Sequence, residues 1–364
     1  MRIVLDKVSS TTRNARIGRE VVLSDQITAR EGFVLAVKIL EDKNTYNQVE
    51  LVEGRMAKVC KNDLIGGVLG ERRALRGYTG VVPDSIKVGD VLNVLNLGGV
   101  LGKCTSVNPD LGKPFDAEVL GAVLMFPSFD DRIGVPAHIR INAVPPRPTL
   151  GTECPPLVVV AGTCMSTGKT TAACEIIKAL SHKGLRVGAA KVTGVSLLRD
   201  TLEMEDFGAV KSLNFTDAGV VSTASGAQVV PVAKGLLVEL AKSKIDVIVV
   251  ELGDGILGEY GVQDILRDDD FMGRATVQVM AAGDPVSAWG AVEQFKVLRR
   301  RIDVLTGPAT DNSVGVSYIS RDLALPAFNA RTDGARLGDF VLQRLQAALA
   351  AVAGRQAVSS GGRS

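Results

Sequence analysis

The chain has 364 residues, 46% hydrophobic and 23% charged, which excludes disordered and collagen-like classes and, at roughly 150 residues per domain, predicts two domains. Its 42 basic and 40 acidic residues leave a net charge of +2, and neither residues 1–150 nor the remainder carries the positive excess that phosphate-backbone binding needs, so a nucleic-acid partner is not expected. Aromatic residues are only 4%, so the core must rest on Val, Leu, Ile and Ala, as suits a sheet covered on both faces.

The N-terminus, Met1-Arg2-Ile3-Val4-Leu5-Asp6, has no long apolar run after its charge and does not read as a signal peptide. No stretch reaches roughly 18 uninterrupted apolar residues, so no membrane span is predicted and a cytoplasmic protein is expected. Residues 1–142 read as short β segments cut by Gly and Pro turns. Gly32–Leu40 is an apolar, Val- and Ile-containing run. Val81–Leu97 carries turns at Pro83-Asp84 and Gly89-Asp90, and Gly98-Gly99 closes a hairpin onto Val100-Leu101. A helical period shows only near Gly70–Arg76. The expectation is a small antiparallel barrel or sandwich.

Residues 143–155, AVPPRPTLGTECP, read as a linker. From Pro156 the rhythm becomes strand–helix–strand. Strands are expected at Leu157–Ala161, Arg186–Ala190, Ile245–Val250, Thr276–Ala281 and Ile302–Leu305. Helices are expected at Lys169–Lys183, Val230–Ser243, Ser287–Arg300 and Gly334–Val352. Such alternation over 156–354 predicts an α/β domain with a mostly parallel sheet between helices. The tail, 355–364, is expected to be disordered.

The most informative stretch is the turn after the first of these strands: Gly162, Thr163, Cys164, Met165, Ser166, Thr167, Gly168, Lys169, Thr170 and Thr171. A buried strand entering a glycine-bounded loop and then a helix suits a polyphosphate. Loop N–H groups wrap the anion and the helix N-terminus adds partial positive charge. Lys169 would neutralise the terminal phosphates, and the Thr170 hydroxyl would face a magnesium ion. The spacing departs from G-x-x-x-x-G-K-[ST], because Thr163 stands where that pattern has Gly.

The form GTxxxxGKT resembles that of dethiobiotin synthetase, the cobyrinic acid amide synthases and the molybdenum-cofactor nucleotide adaptors, within the SIMIBI class of P-loop NTPases. The resemblance covers about Pro156 to Phe340 and not the N-terminal part. A second lysine early in the loop, the mark of partitioning and arsenite-pump ATPases, is missing from 163–166. The resemblance implies ATP, with GTP left open, since no N-K-x-D stretch for guanine is present. It places Lys191, which ends the second strand, beside the γ-phosphate. It also matches Glu251, in Val250-Glu251-Leu252-Gly253-Asp254-Gly255, to a strand-end glutamate that holds magnesium; Leu252 and Asp254 depart from the family's glycine-rich form, and the added Asp254 suggests a different substrate or an extra acid/base group. The catalytic set is therefore Lys169, Lys191 and Glu251, and the metal set Thr170, Glu251 and Asp217. Asp200 and Asp206 compete for the metal role, and Asp284 either joins the site or caps the next helix.

The five cysteines form no C-x-x-C pair and only two histidines occur, so neither a disulfide framework nor a zinc site is predicted. The function expected is ATP- and magnesium-dependent phosphoryl transfer to a small molecule, including activation of a carboxylate for ligation. The alternative is a nucleotide-gated adaptor with slow hydrolysis. The resemblance further implies a homodimer.

Overall fold

The computed structural model describes residues 1–127, 133–224 and 228–361. The chain divides into two compact units that are not two consecutive stretches. One comprises Met1–Val144, Gly194–Arg199 and Phe215–Ala227; the other comprises Pro145–Thr193, Asp200–Asn214 and Gln228–Ser364.

The first unit is built on strands. Phe115–Met125 pairs with Val34–Ile39, which pairs with Leu64–Leu69. That strand pairs with Val100–Val107, which pairs with Val91–Val94, and Val91–Val94 returns to Phe115–Met125. The pairing closes on itself, so the expected barrel is present, with one parallel contact between Val100–Val107 and Leu64–Leu69. Alternation turns Leu35, Val37, Ile39, Ile65, Leu92, Leu101, Phe115, Ala117 and Val119 into one buried cluster. The Gly98-Gly99 hairpin forms as expected, with Val94 opposite Leu101. Residues 70–76 are not helical. They hold the short strand Arg72–Arg73 and a turn, because the Arg72 side chain is buried and donates to Tyr46 Oη at 3.0 Å and to the Leu95 carbonyl.

Two segments from the later half of the sequence complete this unit through hydrogen bonds. Asn96 Nδ2 donates to the Ser196 carbonyl at 2.6 Å, and Thr11 and Thr216 hydroxyls donate to Ser196 Oγ at 3.0 and 2.8 Å. The fully buried Glu50 accepts from Leu198 N at 2.6 Å and Arg199 N at 2.7 Å. Glu31 accepts from Val221 N and Ser222 N, both at 3.2 Å.

The second unit carries a six-stranded, wholly parallel sheet. Its order is Lys211–Asn214, Val187–Thr193, Val247–Leu252, Leu157–Gly162, Ala275–Ala281, Val304–Thr306. Helices connect successive strands, as parallel pairing requires. Lys169–His182 buries Ala172, Ala173, Cys174, Ile176, Ile177 and Leu180 against Val158, Val160, Val247 and Val249. Leu337, Val341 and Leu345 of the last helix close the same cluster. That helix runs from Gly334 to Gly361, into the segment expected as a tail; residues 362–364 lie outside those described. Among the described residues no helix is long and apolar enough to cross a membrane.

Candidate functional site

The site lies at the C-terminal edge of the parallel sheet, where strand ends and loops gather in open α/β folds. Leu157–Gly162 is buried along its whole length and delivers the chain to this edge. The loop that follows is tethered at its start, where Thr163 N donates to the Ala281 carbonyl at 2.9 Å. Ser166 has φ of 59° and Gly168 has φ of 83°, so the chain reverses twice in the left-handed region before Lys169 opens the helix. The close approach at Gly162 has its own reason: a Cβ there would lie 2.8 Å from Lys169 Cδ, so only glycine lets that side chain fold back over the loop.

The loop is wrapped around its own interior. Lys169 Nζ donates to the Cys164 carbonyl at 2.8 Å, and Thr167 Oγ1 donates to the same oxygen at 3.0 Å. Cys164 thus contributes its backbone. Among the described residues the backbone N–H groups of Ser166, Thr167 and Gly168 find no protein acceptor. Donors left over in a turn at a helix N-terminus make a concavity for an anion. Lys169 is only 6% exposed. Burial pushes its ammonium below the ordinary lysine value and Lys191 adds to that, while Glu251 and Asp254 pull the other way. An anion in the loop would offset that burial.

Three of the sequence-predicted side chains meet next to the loop. Parallel register sets Glu251 beside Val160 on one side and Lys191 on the other. Thr170 Oγ1 donates to Glu251 Oε1 at 3.2 Å, and Lys191 Nζ stands 3.6 Å from the same oxygen. Lys191 also pairs closely with Asp200, the first-turn acid of the helix Arg199–Asp206. Burial opposes the Lys191 charge, but Asp200 and then Glu251 outweigh it and raise its pKa. The remaining carboxylate oxygen, Glu251 Oε2, is buried and has no hydrogen-bond partner among the described residues. A buried charged oxygen without a donor carries a large desolvation penalty, so it calls for a cation or a donor that the chain does not supply. A hydroxyl and an orphaned carboxylate oxygen side by side are the hard-oxygen donors that magnesium takes, and they fit that ion.

Asp217 belongs to the first unit, where its carbonyl accepts from Val144 N at 2.8 Å and Asn14 Nδ2 at 3.1 Å. Asp284 caps the helix Pro285–Val297, accepting from Ser287 N at 2.8 Å. Asp206 is the last residue of the helix Arg199–Asp206. The role of Asp200 as the Lys191 partner escaped the sequence reading, which weighed it only as a metal ligand. So did the turn at Gly307, whose φ is 90° and where a Cβ would lie 2.5 Å from the Thr167 carbonyl; the Thr306-Gly307-Pro308 run at the end of a strand was its signal.

No family model and no curated protein matches the chain. Among solved structures, the chain resembles the signal recognition particle receptor FtsY from Elizabethkingia anophelis. The identity is 14%, the match covers 53% of this chain and 67% of that one, and the TM-score is 0.35. It also resembles the hydrogenase maturation factor HypB from Archaeoglobus fulgidus, with 19% identity, 54% and 93% coverage and a TM-score of 0.37. The signal recognition particle 54 kDa protein from Aeropyrum pernix K1, solved in complex with GDP, matches at 17% identity, 56% of this chain and a TM-score of 0.36. The chain spans about half of that protein's length, 49%. Likenesses at these scores carry no assignment of activity. The parallel sheet, the loop and the Gly-Lys-Thr helix start together have the form of a P-loop fold.

Proposed function

We propose that the protein binds ATP with magnesium and transfers the terminal phosphoryl group to a small-molecule acceptor. The observation that carries this reading is the orphaned Glu251 Oε2 beside the Thr170 hydroxyl, at the mouth of a loop with unclaimed N–H groups. In it, the loop from Gly162 to Thr171 cradles the phosphates and Lys169 neutralises them. Lys191, kept protonated by Asp200 and Glu251, sets a second cation at the same edge. Thr170 and Glu251 would hold the magnesium ion, which when bound neutralises and orients phosphate oxygens. The chain's contribution is then positioning and charge neutralisation.

ATP is the nucleotide of choice because no N-K-x-D stretch is present to read guanine. The GTxxxxGKT loop and the strand-end Glu251 support a place beside the dethiobiotin-synthetase-like enzymes. The ligase branch of that group activates a carboxylate before a nitrogen attacks it. A nucleotide-gated adaptor is the second reading, favoured by one observation: Gly194–Arg199 and Phe215–Ala227 follow two strands of the nucleotide unit but belong to the barrel unit. Metabolite screening by thermal stabilisation with Mg·ATP tests the choice. Rapid ATP consumption only with a particular metabolite supports the enzyme. Slow hydrolysis that no metabolite accelerates supports the adaptor.

A further inference from the structure

Asp254 is a charged residue in a place where glycine would be easier. Its φ is 68°, in the left-handed region, and it is flanked by glycines on both sides. Neither glycine can be replaced without a clash. A Cβ on Gly253 would lie 2.1 Å from the Thr193 carbonyl and 3.0 Å from Lys191 Cε. A Cβ on Gly255 would lie 2.6 Å from the Thr163 carbonyl and 3.0 Å from Cys164 Cα. The turn is therefore wedged between the phosphate loop and the end of the Lys191 strand. Ile256 N fastens it by donating to the Gly162 carbonyl at 2.9 Å. Room is also kept for the carboxylate itself, since a Cβ on Gly258 would lie 2.4 Å from Asp254 Oδ2.

The charged groups that act on Asp254 are Lys169, from the phosphate-loop helix, and Lys191, from the neighbouring strand. Neither forms an ion pair with it among the described residues, and its backbone partner is the Gly255 N–H. Burial raises its pKa above the ordinary aspartate value, against the pull of Lys169, the Gly255 bond and Lys191. The turn that carries this carboxylate packs against the phosphate loop, and neither lysine pairs with it, so it is available to a third party.

Building on the phosphoryl-transfer reading, we propose that Asp254 is the acid–base group of the reaction and that the acceptor carries a proton on its attacking atom. That makes the acceptor an alcohol or an amine rather than a carboxylate. The acceptor oxygen or nitrogen bonds to the terminal phosphorus, and the bond from that phosphorus to the bridging oxygen breaks. The diphosphate leaves with the electron pair, and the acceptor proton passes to Asp254 and then to solvent. A carboxylate acceptor brings no proton and would meet the charge of Asp254.

The test measures phosphate release from Mg·ATP with water as acceptor, between about pH 5 and pH 9, beside ATP affinity by calorimetry. Asp254→Asn keeps the side-chain size and Asp254→Gly suits the positive φ, so each guards against misfolding of the other. The expected result is ATP affinity within about threefold of wild type in both variants. Phosphate release falls by about 100-fold and no longer rises with pH on the acid side. Release above about one third of wild type with an unchanged pH profile in both variants overturns the proposal. Failure of the wild-type chain to bind ATP strikes the nucleotide reading first, so the two failures are distinguishable.

Discussion

Two buried glutamates, one in each unit, show what separates structure from chemistry in this chain. Glu50 in the barrel unit is fully buried, and its two oxygens take the N–H groups of Leu198 and Arg199 at 2.6 and 2.7 Å. Glu251 in the parallel-sheet unit is 2% exposed, but one of its oxygens has no partner among the described residues. Burial is the same; satisfaction is not. A carboxylate whose acceptors are all filled by backbone donors holds a segment in place, while one with an acceptor left over is poised for a ligand.

That contrast can be broken by exchanging the two carboxylates for neutral groups. Glu251→Gln should lower magnesium-dependent turnover by about a thousandfold, in line with the several kcal/mol a bound metal supplies to charge stabilisation. ATP affinity measured without magnesium should stay within about threefold. Turnover unchanged in that variant would remove Glu251 from the site. Glu50→Ala should instead cost about 3 kcal/mol of stability, because two buried N–H groups lose their acceptor. Chemical denaturation checks this, and a loss below about 0.5 kcal/mol would show that solvent replaces the carboxylate.

The contrast is sharpened by Lys169, a buried ammonium folded over the loop. Lys169→Ala should weaken ATP binding by about 100-fold, the scale of a charge-assisted hydrogen bond to phosphate. Unchanged affinity in calorimetry would contradict the loop assignment. The smallest effect concerns the thiols. Cys60 is exposed, Cys164 lies half-buried in the loop, and burial pushes the Cys154 thiol up to about 12. At pH 8 Cys60 should alkylate first and Cys154 hardly at all. Mg·ATP should slow Cys164 by about tenfold and leave Cys60 untouched. Equal protection of both would mean that the nucleotide does not cover the loop.

The part of this arrangement that local sequence encodes was legible. Leu157–Gly162, the loop and Lys169–His182 follow one another within a short run, so spacing alone implies their geometry. Glu251 was legible because a β-branched run ends on it. The barrel was readable as a class from its turns, but not its closure, which depends on pairings such as Val91–Val94 with Phe115–Met125. Ion pairs between distant elements left no periodic trace, so the Lys191–Asp200 contact was not foreseen. Nor was the membership of Gly194–Arg199 and Phe215–Ala227 in the barrel unit. These segments are held by hydrogen bonds from Thr11, Asn14, Glu31, Glu50 and Asn96 together with the buried Val221, none of which leaves a periodic pattern.

Titration of the wild-type chain with ATP, with magnesium present and after chelation, tests the central claim most directly. A saturable heat with magnesium, and an affinity at least about tenfold weaker without it, is the result expected of a loop that binds phosphates beside a Thr170–Glu251 ion site. No saturable heat with either ATP or GTP in the presence of magnesium would contradict it.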